Sequence, residues 1–447
     1  RGTRTMVATA NTLIAPTRRR FLAATGSAFA ALVASGCSTR MASSGPAADG
    51  YGVLVPDPAG LLDLPQGFSY RVISRLGDAM DDGGTVPDAA DGMGCFDLGN
   101  GKLALVRNHE LRPRQGAGTT LTSGYGTMPD GSFMPGGTTT LVLDAETLKV
   151  ERQFRSLAGT VRNCAGGVTP WGSWLTCEEP SSLLTRTTHH GYVFEVPAAA
   201  TGLVDPVPLK AMGRFNHEAA CVDPVTGMVY QTEDREDGLL YRFIPKVPGK
   251  LAEGGTLQAL VLEGGVKDTR NWGGLDLARG AMLAVRWIDL DDVEAPGDDL
   301  RTRGIAAGAV PFARGEGMWM GEGEFYFCCT NGGAAKLGQI FRLVPGRGGG
   351  ADTLELFFES ESPDQFNYGD NLVIASNGHL VVCEDQYSDT VDNYLRGIDK
   401  AGRAYPLARL RIQSEPAGAC FSPDGQTLFV NAYSPTMTLA ITGPWRA

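Results

Sequence analysis

Residues 163–179 read NCAGGVTPWGSWLTCEE. Two cysteines, two adjacent glycines, two tryptophans and a pair of carboxylates fall within one loop and one strand. Gly166 and Gly167 permit backbone geometry that other residues resist. Trp174-Leu175-Thr176-Cys177 reads as a short buried strand that carries Glu178 and Glu179 at its far end. The same delivery recurs along the chain. Residues 103–106 run into Asn108-His109-Glu110, 228–231 into Glu233-Asp234, and 325–327 into Asn331-Gly332-Gly333. Residues 380–382 run into Glu384-Asp385, and 428–430 into Asn431. Apolar strands that repeatedly end in carboxylate or amide point to one shared site.

The 447 residues can bury a large core, as one large or two ordinary domains. The 60 glycines and 26 prolines punctuate short apolar runs, which favours an all-β chain of many short strands. Gly99-Asn100-Gly101 suits a hairpin turn with positive φ angles. Turns are also expected at 223–227, 237–238 and 422–425. Helical periodicity is scarce, with residues 275–284 the best local candidate for a helix. Dense turns and a loose repeat of roughly 30 to 70 residues lead us to expect a β-propeller with inserted loops. A large β-sandwich or paired barrels is the competing architecture. In a propeller the strands nearest the axis face one channel, so residues far apart in sequence converge there.

The net charge is −11, with no basic stripe, which argues against a nucleic-acid partner. Five histidines are too few for a His-rich zinc or di-iron site. Carboxylates gathered in one cavity cannot all ionise without compensation, and cations supply it. Oxygen ligands favour calcium, magnesium or ferric iron, whereas a thiolate favours a transition metal. Cys164 is the candidate thiolate, weighed against an ordinary buried cysteine. The candidate carboxylate ligands are Glu110, Glu179, Glu218, Glu316, Glu384 and Glu415. Singly, each reads as a solvated loop residue; their repeated place beside apolar strands and small residues is what singles them out. Arg314, two residues before Glu316, could clamp an anionic oxygen. His109 and His217 read as packed core histidines. No GxSxG, P-loop or HExxH occurs, so no serine nucleophile is signalled.

At the N-terminus, Thr17-Arg18-Arg19-Arg20-Phe21-Leu22 is a twin-arginine pattern, followed by an apolar, small-residue run over 23–36. Residues 1–37 read as a Tat export signal, which implies the Tat translocase as a partner and a periplasmic or extracellular destination. Val33-Ala34-Ser35-Gly36-Cys37 resembles a lipobox with Ala in the usual Leu position, which would make Cys37 a lipid anchor. Residues 38–50 read as a flexible linker and 51–447 as one domain.

The segments VPDPAGLLDLP (55–65), Asn108-His109-Glu110, 163–179, MGRFNHEA (212–219), TEDRED (232–237), ARGEG (313–317), CTNGG (329–333), CED (383–385) and SEPAGACFSPDGQTLFVN (414–431) resemble the PhoX family of secreted alkaline phosphatases. Pro416 stands where the resemblance would lead one to expect an aromatic. The resemblance implies a six-bladed propeller with a central site of ferric iron and calcium, acting as a monomer on small phosphate monoesters for phosphate acquisition. Carried across, Cys164 would ligate iron, and the six glutamates would share iron and calcium. No side chain is the implied nucleophile, and Arg314 and Asn108 would orient phosphate. A calcium-binding propeller without catalysis, or a calcium-dependent lactonase-like hydrolase, are the alternatives.

Overall fold

The computed structural model describes residues 50–180, 188–274, 276–386, 388 and 391–445. The twin-arginine pattern, the lipobox cysteine and residues 38–49 of the linker lie outside the described residues.

The chain is all-β and propeller-like, built from consecutive antiparallel meanders. Ala90–Gly99, Lys102–His109, Gly136–Asp144 and Val150–Thr160 make the first. Its opening hairpin turns at Asn100 and Gly101, both left-handed as the Asn-Gly pair requires. Asn163–Val168, Ser173–Glu178 and Val193–Pro197 make a three-stranded second sheet. His217–Val222, Val229–Glu233, Leu240–Pro245 and Gly255–Leu262 follow as another meander. Gly315–Met320, Phe325–Cys329, Gln339–Val344 and Asp352–Glu359 form the next. Gly369–Ile374, Leu380–Glu384, Tyr394–Ile398 and Ala404–Leu410 are then extended outward by Leu62–Pro65 and Leu54–Val55. Pro416–Phe421, Thr427–Ala432 and Met437–Thr442 form the last meander, and Ser69–Arg75 pairs with Met437–Thr442, so a strand from near the start of the domain completes the last sheet.

Among the described residues six separate sheets do not appear; the hydrogen bonding divides into five. Met282–Asp289 pairs with Gly255–Leu262 on one edge and with Asp352–Glu359 on the other, which fuses two meanders into one nine-stranded sheet. The same strand corrects the helix expected at 275–284. Gly280 has φ 79°, which breaks a helix, and the two open sheet edges recruit the following residues as a bridge. Among the described residues the α-helix is Leu300–Ala306.

The first strand of each meander lies innermost. Ala90–Gly99 packs against Asn163–Val168, which packs against His217–Val222, and the series continues through Gly315–Met320, Gly369–Ile374 and Pro416–Phe421 back to Ala90–Gly99. This close approach needs small residues. A Cβ on Gly92 would stand 2.6 Å from the Ala165 Cα, and one on Gly317 would stand 2.6 Å from the Asn371 Cα. A Cβ on Gly167 would collide with the Ala220 carbonyl oxygen. Backbone atoms cannot swing aside, so Gly317→Ala should destabilise the fold by about 1–3 kcal/mol. The expected readout is a lower urea midpoint with an unchanged m-value; an unchanged midpoint would contradict the packing.

Candidate metal centre

Every innermost strand carries the same irregularity. Its register against the second strand slips between Ala90 and Met93, Asn163 and Gly166, His217 and Ala220, Gly315 and Met318, Gly369 and Leu372, and Ala417 and Cys420. Each slip is a β-bulge, which bends the strand and re-aims a side chain. The residue pairs inside the bulges are Asp91-Gly92, Cys164-Ala165, Glu218-Ala219, Glu316-Gly317, Asp370-Asn371 and Gly418-Ala419. In five of these an acid or thiol comes first. The second is alanine or glycine except at Asn371, as the tight contact with the neighbouring inner strand demands.

A second tier comes from the residue that follows the second strand: Glu110, Glu179, Asp234 and Asp385. The two tiers meet. Ligand atoms of Asp91, Glu110 and Cys164 lie within 4.8 Å of one another, as do those of Cys164, Glu179 and Glu218, and those of Glu218, Asp234 and Glu316. Cys164 and Glu218 are therefore shared between neighbouring groups. Asp370, Asp385 and Glu415 extend the same acidic region: Asp370 and Asp385 raise the proton affinity of Asp91 and of Glu415.

Burial first, and mutual repulsion second, push Asp91, Glu218, Glu316 and Glu415 well above the carboxylate range. Asp370 is pushed up to about 8 for the same reasons. Burial, then the charges of Asp91 and Glu218, raise the Cys164 thiol, which donates to Asp91 Oδ2 at 3.4 Å. Neither oxygen of Glu218 accepts a hydrogen bond, nor does Asp91 Oδ1. Two guanidinium groups offset part of this charge. Arg162 pairs with Glu110 at 3.0 Å and with Glu179. Arg314 pairs with Asp234 at 2.6 Å and with Glu316 at 2.8 Å. Both arginines hold left-handed backbone, φ 48° and 55°, immediately before their bulged strands, and Ala89 and Tyr368 repeat that geometry. Two cations cannot neutralise so many acids. Unpartnered buried oxygens with one sulfur among them fit multivalent cations of mixed preference.

The structure brings together Cys164, Glu110, Glu179, Glu218 and Glu316, and sets Glu415 against Asp385 and Asp370. It does not bring Glu384 to them. Glu384 accepts from the Asn367 N–H at 3.0 Å, the Tyr394 N–H at 3.1 Å and Arg396 Nε at 2.7 Å. It is a clamp between strands, and its neighbour Asp385 faces the site instead. Glu178 and Glu233, one residue before Glu179 and Asp234, are clamps of the same kind. Asn108 is also redirected. Its amide donates to the Cys164 and Ala165 carbonyls and accepts from Trp174 Nε1 and Thr176 Oγ1. Fully buried and fully bonded, it braces the Cys164 strand and has no valence left for phosphate. Arg314 does reach the site, tied to two of its carboxylates. His109 and His217 are core residues: His109 bonds the Asp88 carbonyl and Thr139, and His217 stacks on Phe215.

Asp91, Asp234, Asp370 and Asp385 were not among the expected residues. The signal for Asp91 and Asp370 is an acid or thiol followed by a small or short residue, repeated as Asp91-Gly92, Cys164-Ala165, Glu218-Ala219, Glu316-Gly317 and Asp370-Asn371. Asp91 is hidden because residues 88–96, DAADGMGCF, read as a turn leading into a strand. The site opens into a cavity of about 210 Å³ lined by Arg162, Glu179, Asn216, Asp234, Arg235, Glu236 and Arg314.

Residues 49–147 and 139–436 match the family model described as alkaline phosphatase PhoX. The chain belongs to the PhoX alkaline phosphatase family. Its fold is similar to that of Pseudomonas fluorescens PhoX, a structure solved in complex with vanadate, a transition state analogue. That likeness has TM-score 0.67 at 19% identity, over 86% of this chain and 96% of the other. A gluconolactonase from Xanthomonas campestris is similar at TM-score 0.42 and 16% identity, over 88% of this chain and 98% of the other. No curated protein matches the sequence. Among the described residues, no helix is long and apolar enough to cross a membrane.

The raised carboxyl groups bind protons more tightly folded than unfolded. Their contribution to stability is complete below the unfolded value of about 4 and is lost as pH rises through the folded values, about 8 for Asp370. Protein treated with chelator should therefore melt at progressively lower temperature as pH is raised from about 5 to about 8. A melting temperature rising over that window would contradict the shared burial of these acids.

Proposed function

We propose that this chain is an exported phosphomonoesterase that binds iron and calcium at the axis of a six-bladed propeller. The six-blade count treats the nine-stranded sheet as two blades zipped by Met282–Asp289, and the closed series of six bulged inner strands supports it. Export rests on the twin-arginine pattern, and the monoester substrates and the metals on membership of the family. One observation carries the metal reading: Glu218 is fully buried between two acidic groups, with neither oxygen hydrogen-bonded.

Cys164, Asp91, Glu110, Glu179, Glu218, Asp234 and Glu316 would hold the cations, with Asp370, Asp385 and Glu415 on the remaining side. Bound there, the cations would supply Lewis acidity toward phosphate oxygens and acidify water near neutral pH. The chain itself provides position. The bulges aim the ligands; Asn108 pins the Cys164 carbonyl, and Glu178, Glu233 and Glu384 tie down the backbone beside the second tier. Arg314 and Arg162 hold pairs of carboxylates in register from adjacent meanders, so the site is assembled before substrate enters.

Protein exported through its own leader should contain iron and calcium and hydrolyse p-nitrophenyl phosphate, and chelation should abolish turnover. Elemental analysis finding neither metal would remove the proposal. Cys164→Ser should lose iron, an outcome that a calcium-only lactonase or binding propeller would not show. Glu218→Gln should lower turnover roughly 10²-fold. Glu384→Gln should leave metal content unchanged and cost about 1–3 kcal/mol of stability, because a charged clamp is lost rather than a ligand.

A further inference from the structure

We infer that Arg235 receives the phosphate end of an entering ester and sets the preference for monoesters over diesters. The inference rests on the phosphatase reading above. Three arginines line the cavity that leads to the acidic site, and they are not equivalent. Arg162 is tied to Glu110 and Glu179, and Arg314 to Asp234 and Glu316. Their charge is engaged in holding the carboxylates together. Arg235 holds none of them. Its guanidinium forms one loose ion pair, with Asp298 outside the acidic cluster, at 3.6 Å, longer than a hydrogen bond. Its Nε–H is buried and meets no acceptor.

The backbone of Arg235 is firmly held. Its N–H donates to the Glu233 carbonyl at 3.0 Å, and its carbonyl accepts from Gly238 at 2.9 Å and from Arg314 at 2.9 Å. The residue is thus bolted one position beyond Asp234 and beside the start of the Gly315–Met320 strand. A buried guanidinium N–H without an acceptor is costly, and an anion in the cavity would relieve it. The planar fork of arginine matches two oxygens of a phosphoryl group. Approach to this cavity also needs a cation, because Glu179, Asp234 and Glu236 line it and repel a dianion. A monoester offers a doubly charged terminal group with three free oxygens. A diester carries one charge and two free oxygens, so it gains less from the same guanidinium. A volume of about 210 Å³ accommodates the phosphoryl group and the start of its leaving group, the remainder extending into solvent.

The test compares wild type, Arg235→Ala and Arg235→Lys on p-nitrophenyl phosphate and bis(p-nitrophenyl) phosphate, with inorganic phosphate as inhibitor. Arg235→Ala should raise KM for the monoester roughly ten- to a hundredfold and weaken phosphate inhibition by a similar factor. Turnover at saturation should change far less, and the diester should be nearly unaffected, so the monoester preference narrows. Arg235→Lys should recover part of the loss. Unchanged KM and unchanged phosphate inhibition in an active Arg235→Ala variant would overturn the inference, as would equal losses on both esters. Should wild type hydrolyse neither ester, the phosphatase reading fails by itself. Calorimetric binding of inorganic phosphate then decides on Arg235: weakened binding in Arg235→Ala supports it, and equal binding overturns it.

Discussion

Repulsion among carboxylates held away from water is the constraint on which this structure turns. Asp91, Glu218, Glu316 and Asp370 project from four different inner strands into one buried region. Each adds to the cost of ionising its neighbours, and against that cost Glu218 has only the nearby Cys164 thiol. Such an arrangement persists only if the backbone leaves the side chains no route to solvent. The bulges supply that restraint. An ordinary strand would turn alternate residues toward either face, whereas the slip of one residue directs a chosen side chain to the axis.

The restraint propagates outward. A bulge brings its second residue against the neighbouring strand, so Gly92 and Gly317 stand there without side chains. Arg162 and Arg314 enter their strands through left-handed backbone, a conformation that costs of order 1 kcal/mol or more and that the paired carboxylates help to hold. Behind them, Glu178 and Glu233 accept backbone N–H groups from the loops that follow their strands, and Glu384 accepts one from Asn367, just ahead of the Gly369–Ile374 strand. Hydrophobic clusters fill the space between the sheets, with Phe312, Phe327 and Phe341 in one and Leu62, Leu407 and Trp445 in another. Stability resides there, while the axis holds strain that the apolar layers sustain.

Much of this was legible in the residues. Short apolar runs with Gly and Pro punctuation gave the meanders, and Asn100-Gly101 gave a correct hairpin. Strand ends rich in acid marked Glu110 and Glu179, and the small residues after Cys164, Glu218 and Glu316 singled those out. Other points were hidden. Glu384 and Asp385 are adjacent acids at one strand end, and alternation sends them to different faces; nothing local says which one meets the axis. Asn108 looks like a polar group free for a ligand, and only the Cys164 and Ala165 carbonyls across the sheet boundary show that it is spent. Asp91 lay in a segment of turn composition that is extended because two other inner strands flank it.

The amino-acid sequence alone determined the strand and turn rhythm, the acidic charge and the identity of the thiol, because these depend on residue type and near neighbours. The tertiary structure decided which carboxylates converge, which arginines are engaged with them, and how the sheets divide. Those outcomes depend on bulge register and on contacts between strands hundreds of residues apart, and a one-residue slip exchanges the side chain that faces the axis for the one that does not.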